Sequence, residues 1–360
     1  MPTCSSCPAL RVDACWLCTA AAPAGSSRPR SSPGVLPVPD RSEHIVRWNP
    51  LLHDPISLGR AVVAIGIFDG LHLGHRALLS EAADAAEKRG VALVVLTFEK
   101  DPDEVFRKDD QAFGKLLENQ ERLEMLAGFT GGTVVALPAD RDVFNVEPDA
   151  FLDALEKICT PVAVFVGDNF RFGHRARGTV DDLRAWSTAH GCACEPRSLI
   201  QEDGATVSST RIRALLKAGR VGQARRLLAG RAHAITGRVV HGRGEGTGFG
   251  IATANLDLSA TMVVQPKDGV YGGYAIVDGA PYAAAINMGV AKSFEGASSP
   301  LEAHLLDFGG DLYGKSITIV FVEWLRESRV FDDQDELIRT IQGDIAWVRE
   351  NLGEGAHGAH

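Results

Sequence analysis

Between Ala61 and Arg89 the chain passes from strand to turn to helix within a few residues, and few architectures accommodate that passage. AVVAIGIF (61–68) is a short apolar run with β-branched residues, and a Gly-rich turn follows it. HRALLSEAADAAEKRG (75–90) then carries a helical period that stops at Gly90, and VALVVLTF (91–98) reads as a second buried strand. Strand-like runs recur at 133–137 and 161–166, with helical patterns at 116–127 and 148–158. Strands alternating with helices predict a parallel sheet with helices on both faces. Two short helical segments, 208–219 and 221–230, close this half.

After about residue 233 the texture changes. Strand patterns at 234–240, 269–277, 281–289, 301–308 and 316–325 are joined by turns such as Asp278-Gly279, with no strong helix signal before 332–351. This predicts an antiparallel β-barrel or sandwich with one C-terminal helix. GGDLYGKS (309–316) formally fits the P-loop pattern. That motif needs a helix directly after it, whereas SITIVFV (316–322) is strand-like, so the match is read as coincidence with Lys315 on a turn.

The expected organisation is a disordered leader over 1–43, an α/β domain over 44–230, a barrel over 231–352 and a frayed tail over 353–360. In the leader, Cys4-x2-Cys7 and Cys15-x2-Cys18 formally suggest zinc, but the gap between the pairs is short and no hydrophobic pattern surrounds it. Seven cysteines in all, three of them beyond the leader, do not make a secreted disulfide framework. No basic segment followed by an apolar one opens the chain, and no stretch approaches the roughly 18 apolar residues that span a bilayer. A cytoplasmic location is expected. The formal charge of −9, from 46 acidic and 37 basic side chains, argues against nucleic acid or anionic membrane as partner.

The strongest chemical signal is GIFDGLHLGH, from Gly66 to His75. Backbone N–H groups and the helix dipole at such a turn favour a polyphosphate. His72 and His75, three apart with Gly74 between them, can both face that anion and donate hydrogen bonds as charge develops on it. GDNFRFG (167–173) follows a buried strand, and SSTRIR (208–213) opens a helix with hydroxyls in its first turn. Ligands of open α/β sheets collect at the carboxyl ends of strands, where the three segments would meet. Arg211 and Arg213 cannot share one helix face, so at most one reaches a phosphate directly.

These three motifs, in this order and spacing, resemble the nucleotidyltransferase module of bacterial bifunctional riboflavin kinase/FAD synthetases. The resemblance implies a Rossmann-like α/β domain in which the phosphate of FMN attacks the α-phosphate of ATP and pyrophosphate leaves. His72 and His75 would stabilise the α-phosphate, and Asn169 would lie near the nucleotide or flavin. Ser209, Thr210 and Arg213 would hold phosphates, while Gly66, Phe68, Asp69, Gly70, Gly74 and Arg171 would complete the nucleotide and flavin site. Residues 233–350 resemble the riboflavin kinase module of the same enzymes, through DGVY (268–271), LEAHLLDF (301–308) and DLYG (311–314). There Glu302 would be the general base for the ribityl 5′-hydroxyl. Thr253 and Asn255 would bind the Mg²⁺ that accompanies ATP, and Gly242 and Gly250 would bracket a phosphate-approaching glycine loop.

The implied small-molecule partners are riboflavin, FMN and ATP. Departures from the family pattern fall at both sites. Lys100-Asp101-Pro102 stands where Pro-His-Pro is usual, Ala252 replaces the proline of Pro-Thr-Ala-Asn, and Thr247 and Ala291 to Phe294 differ from the kinase pattern. They leave two other readings open: a transferase for a flavin analogue or another nucleotide, or a noncatalytic flavin-binding or regulatory protein.

Overall fold

The computed structural model describes residues 42–106, 114–242, 252–289, 300–331 and 333–353. The four leader cysteines, Gly250, the rest of the loop 243–251 and residues 290–299 therefore lie outside the described residues.

Within 42–197 the elements run β1 (Ile45–Arg47), β2 (Arg60–Ile65), α1 (Leu73–Arg89), β3 (Ala92–Phe98), α2 (Pro102–Phe106), α3 (Asn119–Thr130), β4 (Thr133–Leu137), α4 (Arg141–Phe144), α5 (Pro148–Ile158), β5 (Thr160–Gly167), α6 (Val180–Ala189) and β6 (Ala193–Arg197). The strands form one parallel sheet in the order β1-β4-β3-β2-β5-β6. Successive residues of a strand point to opposite faces, and here both faces are covered. Ala61, Val63 and Ile65 pack on the side of Leu152 and Leu155 of α5, while Val62 and Ala64 pack on the side of Leu78, Leu79 and Ala82 of α1. That is why β2 carries an unbroken apolar run. α1 ends where Gly90 takes a left-handed conformation (φ 61°).

From β2 the chain builds β3 and β4 on one side and then returns to lay down β5 and β6 on the other. The carboxyl ends of β2 and β5 therefore flank the crevice where strand order reverses, the usual ligand position in such sheets. The Gly66–His75 turn follows β2, and the Gly167–Gly173 segment follows β5.

A short hairpin, β7 (Gln201–Glu202) and β8 (Ala205–Thr206), leads to α7 (Ser209–Lys217) and α8 (Val221–Leu227). The remaining strands are β9 (His233–Val240), β10 (Ala254–Asp257), β11 (Gly269–Val277), β12 (Ala280–Met288), β13 (Leu301–Leu305) and β14 (Ser316–Arg326), followed by α9 (Gln334–Leu352). They close into an antiparallel barrel, β10-β13-β12-β11-β14-β9, with β9 also paired to β10. Leu256, Ile286, Leu301 and Phe321 belong to its core, and Val348 and Leu352 of α9 pack with Tyr274, Ala283 and Val320 outside. Ile212 and Leu216 of α7 and Ala224 and Leu227 of α8 join the barrel's own apolar cluster. These helices thus share the core of the later half, although they precede residue 231. Ser316 opens a strand, so the P-loop-like GGDLYGKS has no helix behind it, and Lys315 pairs with Asp278 at 2.7 Å.

The barrel depends on bare backbone in β11, where Gly269, Gly272 and Gly273 each lack room for a side chain. β11 is bulged between Gly272 and Gly273, and a Cβ at Gly273 would collide with the Val320 carbonyl of β14. Gly273→Ala should destabilise the protein by about 2 kcal/mol or more, read as a lowered denaturant midpoint. An unchanged midpoint would show that the strands adjust freely there.

Candidate active sites

The turn after β2 contains two ordinary residues in left-handed conformation, Phe68 (φ 59°) and Leu71 (φ 44°), with Gly70 (φ 82°) between them. A side chain at Gly70 would strike Leu116, and one at Gly66 would strike the Phe68 ring at 2.9 Å. Donors from four parts of the chain grip the turn's carbonyls. Arg122 Nη1 donates to Ile67 O (2.8 Å), Ser209 Oγ to Asp69 O (2.9 Å), Arg231 Nη2 to Gly70 O (3.3 Å) and Arg76 Nε to Leu71 O (3.1 Å). The remaining carbonyl, of Phe68, accepts the Leu71 N–H (3.1 Å). A trans peptide points its N–H opposite to its C=O. Fixing the carbonyls on protein donors therefore aims the N–H groups of Phe68, Gly70 and His72 away from those donors, an arrangement suited to an anion.

His72 is the N-cap of α1, and its Nδ1 accepts the N–H of His75 at 3.3 Å. An accepting Nδ1 carries no proton, so the neutral ring holds its hydrogen on Nε2 and can donate from there. The His72 and His75 rings stack with centroids 3.6 Å apart, and Phe68 meets His75 edge-on at 5.3 Å. A Cβ at Gly74 would press on the His72 ring at 3.3 Å. Burial draws His72 down to about 4, with Arg213 adding to the effect, and draws His75 well below its ordinary value, with His72 and Arg122 adding repulsion. Both rings are neutral donors at neutral pH, and an arriving polyphosphate would favour their charged forms. The Nδ1 of His75 is buried and has no hydrogen-bond partner among the described residues.

The expected nucleotide residues do not all face the same way. Asp69, only 5% exposed, accepts the Leu116 N–H on both oxygens (3.0 and 3.1 Å) and Arg213 Nη2 on Oδ2 (2.6 Å). Burial pushes its carboxyl upward, opposed by Arg213 and the Leu116 N–H. Arg213 also donates from Nε to Gly114 O (2.6 Å), while Arg211 turns back onto the carbonyls of Glu202, Ala205 and Thr206. The two arginines diverge, as their spacing requires. Ser208 caps α7, Ser209 grips the turn and Thr210 is exposed in the helix's first turn. Asn169 and Arg171 are exposed after β5, and the Asn169 amide lies 3.1 Å from where a Gly167 side chain would begin.

Two features of this region were not anticipated from the sequence. Arg122 is 2% exposed, and besides Ile67 O it reaches Thr97 Oγ1 (2.9 Å), Phe98 O (2.6 Å) and Glu99 O (3.2 Å), tying the ends of β2 and β3 together. Its signal was a lone arginine on the helix face that also carries Leu126. The other feature explains Asp101. Its carboxylate accepts the Asp103 N–H (3.0 Å), and Glu104 Oε1 accepts the Asp101 N–H (3.1 Å), a reciprocal cap at the start of α2.

In the barrel, Asn255 of β10, Glu302 of β13 and Asn287 of β12 stand directly opposite one another across three strands. Their neighbours Leu256, Leu301 and Met288 point into the core, so the polar row lies on the outer surface. A side chain at Gly242 would overlap the Asn255 amide, so this glycine makes room for Asn255. Asn287, absent from the expected set, accepts the Ser328 hydroxyl at 3.1 Å and donates to Gly289 O at 3.3 Å. Thr253 is exposed one residue before β10. Thr253 and Asn255 both offer oxygen, the donor a hard divalent cation prefers. Among the described residues no group of three or more His, Cys, Asp or Glu side chains is placed to hold a metal.

Two buried histidines, His72 and His233, imply a pH response. His233, at the start of β9, pairs through Nε2 with Val264 O (2.7 Å), and burial draws it down to about 4, like His72. With folded values below the unfolded value of about 6.5, the unfolded chain binds protons first as pH falls. The stability from the neutral rings of His72 and His233 is whole above about pH 6.5 and lost on descending toward about pH 4, by roughly 3 kcal/mol per ring at most. Denaturant unfolding at a series of pH values should show that decline, and a flat profile between pH 6.5 and 4 would contradict it.

Residues 55–211 match the family model described as FAD synthetase, and residues 229–352 match the one described as riboflavin kinase. The bifunctional riboflavin kinase/FMN adenylyltransferase of Pseudomonas fluorescens is 34% identical over 302 residues, covering 82% of this chain and 94% of that protein. Its counterpart in Escherichia coli strain K12 is 35% identical over 294 residues (81% and 93%), and that of Bacillus subtilis strain 168 is 30% identical over 293 residues (79% and 90%). A crystal structure from Streptococcus pneumoniae, described as a macrolide-efflux protein, superposes with a TM-score of 0.74 at 26% identity over 85% of this chain and 98% of that one. That description names transport, yet among the described residues no helix is long and apolar enough to cross a membrane. With both modules matched in order and these relatives covered over nearly their whole length, the chain belongs to the bifunctional riboflavin kinase/FMN adenylyltransferase family.

Proposed function

We propose that the barrel phosphorylates riboflavin to FMN with ATP, and that the α/β half adenylylates FMN to FAD with a second ATP. The observation that carries this reading is the His72–His75 stack at the start of α1, in the crevice between β2 and β5, in a chain whose barrel also sets Glu302 level with Asn255.

In adenylyl transfer, an oxygen of the FMN phosphate forms a bond to the α-phosphorus of ATP while the bond to the β-phosphate bridge breaks and pyrophosphate leaves. The attacking phosphate is already ionised, so no general base is needed. Positioning and charge stabilisation carry the rate. His72, donating from Nε2, and His75 meet the charge on the α-phosphate. The amides of Phe68, Gly70 and His72 face the phosphates, Gly66 and Gly74 keep the turn close to the rings, and Thr210 supplies a hydroxyl from α7. Asn169 and Arg171 line the β5 side of the crevice. Asp69 and Arg213 act on the turn through each other.

In the kinase step the ribityl 5′-oxygen attacks the γ-phosphorus, Glu302 accepts the hydroxyl proton and ADP leaves. Thr253 and Asn255 would hold the Mg²⁺ that accompanies the nucleotide, and the ion would supply charge neutralisation on the phosphates. Asn287 fixes the opposite flank of Glu302, and Gly242 leaves room for the Asn255 amide. The proposed compartment is the cytoplasm, where riboflavin, FMN and ATP are available together.

Glu302→Ala should lower FMN formation by about 100-fold or more while leaving FAD formation from supplied FMN within twofold. His72→Ala should lower FAD formation by about 100-fold and spare the kinase. Chromatography of the flavin products checks both. Loss of both activities in a variant with wild-type melting behaviour would refute the division of labour.

A further inference from the structure

Asp69 belongs to the turn proposed to bind ATP, yet its carboxylate is committed to the protein. It holds the N–H of Leu116 and the guanidinium of Arg213, and Arg213 holds the carbonyl of Gly114. Residues 114–116 in turn lie against the barrel half. Lys115 forms a parallel β-bridge with Val263, donating to Met262 O (2.9 Å) and accepting from the Val264 N–H (2.8 Å). A Cβ at Gly114 would stand 2.7 Å from Val264 Cα, and Leu116 belongs to the barrel's apolar cluster. Val264 O is then fixed by His233 of β9. A second tie runs directly, because Arg231, within the riboflavin kinase match, donates to Gly70 O of the same turn.

Resting on the adenylyl-transfer reading above, we propose that Asp69 is a positioning residue linking the phosphate-binding turn through 114–116 to the barrel, which makes the kinase half a working part of the transferase site. A carboxylate beside a triphosphate would repel it. Asp69 instead spends its charge on Arg213 and its lone pairs on the connecting segment. Displacing 114–116 from the barrel would release Leu116 and Arg213 together, and with them the turn that aims the amides and His72.

The test uses the full chain and measures FAD formation from supplied FMN alongside FMN formation from riboflavin. Asp69→Asn should lower kcat for FAD formation tenfold or more, with KM for ATP and the Mg²⁺ requirement within twofold and the kinase unchanged. Gly114→Ala, whose added methyl points at Val264 and not at the turn, should give the same pattern; if it does not fold, Arg231→Met must give it. A raised KM for ATP or an altered Mg²⁺ requirement in Asp69→Asn would mean that Asp69 touches the nucleotide or its metal, overturning the inference. So would undiminished FAD formation in Gly114→Ala, or equal loss of both activities in a variant with wild-type melting. Wild-type protein that makes no FAD would refute the adenylyl-transfer reading itself, and this inference with it.

Discussion

Phe68 and Leu71 occupy backbone conformations that ordinary residues avoid, at a cost on the order of 1 kcal/mol each. What holds them there is a set of hydrogen bonds from Arg76, Arg122, Ser209 and Arg231 to the carbonyls between Ile67 and Leu71. The donors come from α1, from α3, from the first turn of α7 and from the segment entering the barrel. Almost every other feature of the proposed adenylyl-transfer site follows from this grip. It aims the turn's amides, it starts α1 at His72, and it places the His72 ring where His75 can stack on it.

The same grip requires two halves of the chain to be assembled. α7 and α8 bury their apolar faces in the barrel's cluster, as does Leu116 from the α/β half. At about 2 kcal/mol for each fully buried leucine, a few such residues suffice to keep the halves together. The result is an enzyme whose two chemistries are separate in mechanism but not in support. In the proposed reading, adenylyl transfer would rest on the stacked imidazoles of His72 and His75 and the turn's amides, whereas phosphoryl transfer to an alcohol would rest on Glu302, which stands between Asn255 and Asn287.

Much of this was legible in the residues. The apolar runs at 61–68, 91–98 and 161–166 became β2, β3 and β5, and the five strand patterns after 233 became β9, β11, β12, β13 and β14 of a closed barrel, because long buried strands leave a clear trace, whereas the four-residue β10 was not read as a strand. β6 left little trace, since its sequence ACEPR is polar and holds a proline, which an edge strand tolerates because one side carries no ladder. β1 was hidden by its three-residue length. The site was partly legible. The histidine pair announced itself through its glycines, whereas the 114–116 link did not, because a single-residue bridge to Val263 has no periodicity to read. Asn287 was visible only as a polar residue between inward-facing Ile286 and Met288. Asp101, which replaces a histidine in the family pattern, proved to cap α2, a role its Asp-Pro-Asp-Glu setting already carried.

The central claim is that one chain performs two successive transfers at two sites. Mass spectrometry of the products formed by purified full-length protein from riboflavin, Mg²⁺ and each nucleoside triphosphate in turn tests it most directly. The account predicts that FMN appears first and FAD follows when ATP is supplied, and that FAD forms with pyrophosphate when the reaction starts from FMN. FMN as the sole product, a dinucleotide carrying another base, or unchanged riboflavin would contradict it.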